Sequence, residues 1–405
     1  MATGQTQVMP GSLYGVPGIT QRFEQEDTTV DNITALALSN EVNNNSVENF
    51  QQTDVVHWWE AEFIWTNTPT GGLTPALSPY APYNLIQGAS IQMQGQYKPI
   101  SVESGIDLAI FQLYRPMNGS APMSGQPLLG ANPANTYANS GLPQANLVAT
   151  PSMTATSTGV PIYLEFPVSL WFDQYWDIAE DGSILSSPIS AYVSPQYMSG
   201  GQRVVKPKIT YAAINAATSD TGPITWGTPA TAVGGSQVQD TWRRVGVYAS
   251  NDPNAMPPVF NWQYQRQSYQ YPVAGKTKVT IPITDFGQIL SLWVRFFDPT
   301  ADAPIDVTAN ITKCQLLYGS NLPRYDDDMR SMQKRFVNQH GFLPPVGVVI
   351  WDMALTDTGG YVTNAKAINT LTNANVNVYF EFSSALSATA YAVVGVESLV
   401  FVSIQ

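Results

Sequence analysis

The sequence predicts an all-β protein built as two tandem eight-stranded jelly rolls, a double jelly roll with one or two short helices. Three observations carry this. Runs rich in β-branched and aromatic residues recur along the chain between Gly, Pro, Asn, Asp and Ser clusters, without alternating helical segments. The 405 residues exceed most single cores and suit two units. The turn-rich NDPNAMPP at 251–258 divides the strand runs into similar halves, each with roughly six to eight strands.

Composition agrees. Apolar residues make up 44% and charged residues only 12%, about half the usual share, so Asn, Gln, Ser, Thr and Tyr must build the surface. The 30 glycines and 30 prolines suit turn-rich β structure rather than disorder.

Residues 1–50 read as an extended N-terminal arm with a short helical possibility at 32–42. Leu13, Tyr14, Val16, Ile19 and Phe23 are suited to dock on a neighbour. The first roll spans 51–250. It opens with VVHWWEAEFIWTNT (55–68), followed by NLIQGASIQMQGQY (84–97), whose Ile91 and Met93 alternate with polar residues, and by GIDLAIFQLYRP (105–116), read as a further strand. Residues 117–160 are almost free of charge and read as a long inserted loop. VPIYLEFPVSLWFDQYWDI (160–178) reads as a strand and an aromatic turn of helix, QRVVKPKITYAAI (202–214) as a strand, 213–239 as a second neutral loop, and TWRRVGVYAS (241–250) as the closing strand.

The second roll spans 251–405. Its strands are KTKVTIPI (276–283), QILSLWVRFF (288–297), NITKCQLLYG (310–319), VGVVIWDMAL (346–355), ANVNVYFEFSS (374–384) and the run from 389 onward. Val376, Val378, Phe380 and Phe382 face one way, Asn377, Tyr379 and Glu381 the other.

RYDDDMRSMQKRFVNQHG (324–341) concentrates charge in a charge-poor chain and invites a metal site. Asp326, Asp327 and Asp328 are consecutive, about 100° apart on a helix, and cannot converge on one ion. Calcium loops space their ligands every second residue and include a glycine. The spacing instead predicts a helix over 323–339. Pro323 suits its first turn, the aspartates its positive N-terminal dipole, and Asp326 attracts Arg330. Met329, Met332 and Phe336 make one apolar stripe, with Lys334 and Arg335 near the end. Gly341 supplies a left-handed cap, and Pro344 and Pro345 prevent resumption.

Little else suggests chemistry. His57 and His340 are the only histidines, and neither spacing nor GxSxG marks a triad. Cys314, the only cysteine, lies in an apolar strand run and reads as buried structure, so no internal disulfide forms. AGKTK (274–278) lacks the earlier glycine of a phosphate loop and leads into a strand. Glu60 and Glu62 on one strand face, or Asp177, Glu180 and Asp181, are the paired carboxylates a β-sandwich glycosidase would need, with Trp58, Trp59, Trp171, Tyr175 and Trp176 to stack on sugars. Solvent-facing charges and core tryptophans explain the same residues. The net charge of −12 argues against nucleic acid, the 1–50 segment holding six acids and Arg22 alone as a base. Arg203, Lys206 and Lys208 form a local basic cluster, which reads as ordinary solvated surface. No signal-peptide pattern opens the sequence, and no run approaches the ~18 apolar residues of a membrane span.

LIQGASIQMQGQY (85–97), ITDFGQILSLWVRFFD (283–298) and the passage LLYGSNLPRYDDDMRSMQKRFVNQHGFLPPVGVVIWD (316–352) resemble, in pattern and order, the double jelly-roll major capsid proteins of tailless, icosahedral, membrane-containing bacteriophages, the tectivirus-like group. The resemblance implies upright rolls, homotrimers that form pseudo-hexameric capsomers, and an icosahedral virion shell assembled from chains made in the host cytoplasm. It places the N-terminal arm at the base, near an internal viral membrane or neighbouring capsomers. Minor capsid proteins join the implied partners. It implies no catalysis, cofactor, metal or direct nucleic-acid contact. A carbohydrate-binding or glycoside-hydrolysing β-sandwich, such as a phage receptor-binding protein, is the alternative, and a minor virion protein of the same fold is a third.

Overall fold

The computed structural model describes residues 19–33, 41–42, 55–69, 76–77, 83–93, 97–114, 160–167, 205–212, 224–225, 233–249, 262–301, 303–305, 307–319, 322–340, 344, 347–354, 367–370 and 376–401. The first half contains β1 (Ile19–Ile33), β2 (Glu41–Val42), β3 (Val55–Pro69), β4 (Ala76–Leu77), β5 (Ile86–Met93), β6 (Tyr97–Val102), helix α1 (Gly105–Tyr114), β7 (Val160–Pro167), β8 (Val205–Tyr211), β9 (Ile224–Thr225) and β10 (Val233–Ala249). The second contains β11 (Trp262–Pro272), β12 (Lys278–Ile283), β13 (Gln288–Asp298), β14 (Ala303–Pro304), β15 (Ile311–Tyr318), β16 (Leu322–Asp327), helix α2 (Met329–His340), β17 (Val348–Asp352), β18 (Ile368–Asn369), β19 (Val376–Phe382) and β20 (Tyr391–Phe401).

Both halves are eight-stranded jelly rolls with one topology. In the first, a sheet ordered β1-β10-β3-β7 is joined by β2-β8-β5-β6. In the second, β11-β20-β13-β17 is joined by β12-β19-β15-β16. Position by position the strand orders match. Among the described residues, the longest helix of each half lies between its fifth and sixth principal strands: α1 follows β6, and α2 follows β16. The halves are fused by a parallel pairing of β6 with β11, Ile100 opposite Arg266 and Ser101 opposite Gln267, so one ten-stranded sheet runs through both.

Burial along the strands follows from this fusion. The outer strands β12 and β19 alternate buried with more exposed residues, the period of a half-buried sheet. In β13 and β17 nearly every residue is buried. Trp293, Phe297, Val348 and Ile350 pack toward the first core, whereas Leu292, Val294, Phe296, Val349 and Trp351 pack into the second. A sheet covered on both faces loses its polar alternation. Trp293 also requires its neighbour Gly395: a Cβ there would sit 2.0 Å from the indole.

Several elements depart from the sequence expectation. GIDLAIFQLYRP, read as a strand, forms α1. All ten residues of α1 are buried, so no polar stripe betrays its period. Ser104 starts it, its Oγ accepting from the Ile106 amide at 3.2 Å and its carbonyl from the Asp107 amide. The helix expected over 323–339 covers Met329–His340, because 322–327 pairs with β15 as β16. Pro323, Asp326 and Asp327 are therefore strand residues. The stretch 19–33, expected within a free arm, is extended but pairs with β10 throughout. The loop expected over 213–239 is interrupted from Val233, where β10 begins. The polar β11 is not predicted by the sequence pattern. The loop expected over 117–160 lies outside the described residues up to 159, as do the helical turn at 171–178, residues 34–40 and the Gly341 cap.

Candidate functional site

The most elaborate side-chain arrangement is the junction between the rolls, organised around α1. Its charges come from solitary ionisable residues inside apolar runs. Asp107 lies in GIDLAIFQLY, Arg295 in QILSLWVRFF and Glu397 in YAVVGVESLVF. A charge in such a run must find a partner or remain neutral.

Asp107 Oδ1 accepts from Arg295 Nε at 3.0 Å. Its Oδ2 accepts from Ser268 Oγ at 2.6 Å, and Ser268 Oγ in turn accepts from the Glu103 amide at 2.8 Å. One turn on, Phe111 lies under Arg266, whose guanidinium is 5.4 Å from the ring centroid. Arg266 Nη2 reaches Glu397 Oε1 at 3.5 Å, with both side chains fully buried. Ser291 Oγ donates to Glu397 Oε2 at 2.8 Å and meets Tyr114 Oη at 2.8 Å. Residues of α1, β11, β13 and β20 thus form two polar clusters: the one around Glu397 is buried, whereas the one around Asp107 reaches the surface through half-buried Ser268 and exposed Glu103. Burial raises the Glu103 carboxyl above its usual range, the nearby Asp107 charge adding to the rise and Arg295 opposing it.

The two helices meet at the far end. Tyr114 of α1 packs edge-on against Phe336 and His340 of α2, at centroid distances of 6.3 and 5.7 Å. His340 Nε2 lies 3.3 Å from Asp352 Oδ2, both side chains almost fully buried. Asp352 Oδ1 accepts from the Ala354 amide. The histidine thus lies where α2 packs on β17, and Gln339 Nε2 donates to the Asp352 carbonyl at 3.3 Å beside it.

The carboxylates and aromatics considered for sugar chemistry do not assemble into a site. Glu60 is buried and ion-paired to Arg243, directly opposite it on β10, whereas Glu62 is exposed. Trp59 is core, edge-on to Trp242. The side chains of His57, Trp58 and Lys206, and residues Trp171, Tyr175, Trp176, Asp177, Glu180, Asp181 and Arg203, lie outside those described. Lys208 is half-buried on β8.

The three aspartates have three separate roles. Asp326 is exposed on β16, 3.7 Å from Lys313. Asp327 binds Arg335 at 2.6 Å, and Arg335 also covers the Tyr325 ring. Asp328 caps α2, its Oδ1 accepting from the Ser331 amide at 2.7 Å, which lowers its pKa. Met329, Met332 and Phe336 are buried as the period predicts. Cys314 is core, its thiol pushed up to about 12 by burial and then by the Asp327 charge. Among the described residues no group of three or more His, Cys, Asp or Glu is placed to hold a metal. AGKTK forms a turn, with Gly275 at φ 66° leading into β12.

The junction charges escaped sequence reasoning. The available signal was four lone charges in apolar or strand-like runs, two of each sign.

No family model matches this sequence, and no curated protein does. Solved structures do. The Sulfolobus Turreted Icosahedral Virus structure aligns with a TM-score of 0.57 at 11% identity, covering 94% of this chain and 91% of that one. The PBCV-1 virus capsid model gives 0.53 at 13% identity, covering 94% of each. The STIV major capsid protein gives 0.52 at 12%, covering 94% and 97%. The chain thus has the double jelly-roll fold of these capsid proteins over nearly its whole length.

Proposed function

We propose that this chain is a major capsid protein, a structural component of an icosahedral virion shell. The observation that carries the reading is the full-length likeness of the fused pair of rolls to solved capsid proteins. Two rolls of one topology, rigidly joined, let three copies present six similar units around one axis, the geometry of a pseudo-hexameric capsomer. Each buried charge of the junction is committed to another side chain, and the geometry supports a load-carrying interface rather than catalysis. The chain is not an enzyme on this reading. Its partners are two further copies, neighbouring capsomers, minor capsid proteins and an internal viral membrane.

Light scattering on the purified full-length chain tests this. A trimer near 130 kDa, three times 44.1 kDa, with a hexagonal outline in electron micrographs, is the expected result. A strict monomer at micromolar concentration overturns it. Glycan-array binding by that monomer would favour the carbohydrate-binding alternative.

A further inference from the structure

The two rolls share a topology, yet their equivalent helices differ in burial. Helix α1 is buried on all ten residues because the second roll covers it: Arg295 and Ser268 hold Asp107, Arg266 lies over Phe111, and Ser291 meets Tyr114. Helix α2 stands in the same place in the second roll. Only Met329, Met332 and Phe336 of α2 are buried, while Arg330, Ser331, Lys334 and Asn338 are exposed. The strand preceding each helix repeats the contrast. β6 pairs with β11, the first strand of the next roll. β16 pairs with β15 alone among the described residues. The counterpart of β11 in the first roll is β1, which pairs with β10 alone among the described residues.

From this contrast we infer that the junction inside the chain is repeated between chains. The outer edge of β16 pairs in parallel with β1 of a second copy, and the exposed face of α2 is covered by that copy's first roll. The inference rests on the capsomer reading and specifies its contact. Counting back from each helix start, Arg324 and Tyr325 stand where Ile100 and Ser101 stand in β6.

Charge favours the same pairing. Residues 1–250 hold 18 acids and 8 bases, while 251–405 hold 12 acids and 10 bases, so −10 of the net −12 lies in the first half. Strand β1, ITQRFEQEDTTVDNI, has Glu24, Glu26, Asp27 and Asp31 against Arg22. The face offered to it presents Arg324, Arg330 and Lys334, all exposed, beside Asp326 and Asp328. The contact is heterologous, one surface meeting a different one; such contacts close into a ring where the rotation closes and do not form twofold dimers.

The test uses the full-length chain. Arg330→Glu with Lys334→Glu changes only exposed positions, and an unchanged melting transition shows that the fold is kept. Trimer dissociation should then rise roughly tenfold or more, with recovery when Glu24→Lys and Glu26→Lys are added. Separately, Arg324→Cys is combined in one chain with Glu24→Cys, Glu26→Cys or Thr28→Cys in turn. At least one pair should give a covalent trimer on non-reducing gels. If the wild-type protein is a trimer, none of the three pairs cross-links and the reversed charges leave it intact, the edge contact is wrong and the capsomer reading stands. If the wild-type protein is a strict monomer, both fail together.

Discussion

Arg295 on β13 donates to Asp107 on α1 across 3.0 Å, and neither side chain keeps more than 3% of its surface in water. This pair joins residues from the two rolls. Removing one member leaves a buried charge alone, whereas removing both does not. Asp107→Ala should therefore cost roughly 3–5 kcal/mol. Asp107→Leu with Arg295→Met should recover most of that loss, read as denaturant midpoints. A double variant as unstable as the single one would show that the pair is not energetically coupled.

Gly395→Ala tests packing at the shared sheet. The new methyl would fall 2.0 Å from Trp293, which is fully buried, and 2.2 Å from a second indole atom. The indole has no space to retreat into without disturbing the first core. Destabilisation of roughly 1–3 kcal/mol is expected, with altered tryptophan fluorescence.

Tyr269 and Tyr271 protect the open edge of the second roll. Tyr271 Oη donates to the Thr280 carbonyl at 3.1 Å and Tyr269 Oη to the Pro282 carbonyl at 3.2 Å, so two side chains of β11 bond edge strand β12. Pro282 has no amide proton, which blunts the edge further. The double change to Phe should cost about 1–2 kcal/mol and raise turbidity and thioflavin binding on concentration. Unchanged aggregation would mean that Pro282 alone suffices.

Asp328 gives a pH dependence of defined sign. The Ser331 amide lowers its pKa in the folded state, so its stabilising contribution is present above the ordinary carboxylate range. That contribution is lost as pH falls through the lowered value. Asp328→Asn keeps the cap but removes the titration. The melting temperatures of the two proteins should converge in acid and separate toward neutrality. Parallel curves from pH 2 to 7 would rule out this assignment.

Legibility in the sequence followed the environment of each element. β12 and β19, wet on one side, alternate as written, and the stripe of Met329, Met332 and Phe336 gave α2 its face. α1 was misread because a helix enclosed on every side has no polar period to display. β11 was missed because Gln265, Gln267, Tyr269 and Tyr271 look like surface, although Arg266 beside them is fully buried at the junction. The sequence reads β16 as the start of a helix because its aspartates suit a helix dipole, while their ion pairs with Lys313 and Arg335 depend on tertiary contacts. The fold class was readable, but the paired charges of the candidate site were visible only as isolated anomalies.

The ten-stranded sheet has a consequence for how the molecule fails. Separating the rolls would bare the amides of β6 and β11 and expose Asp107, Arg266, Arg295 and Glu397 at once. Neither half has a low-cost intermediate in which it stands alone. Heat or denaturant should meet a single cooperative unit, with one calorimetric transition instead of two, and damage to one half would be felt at once in the other.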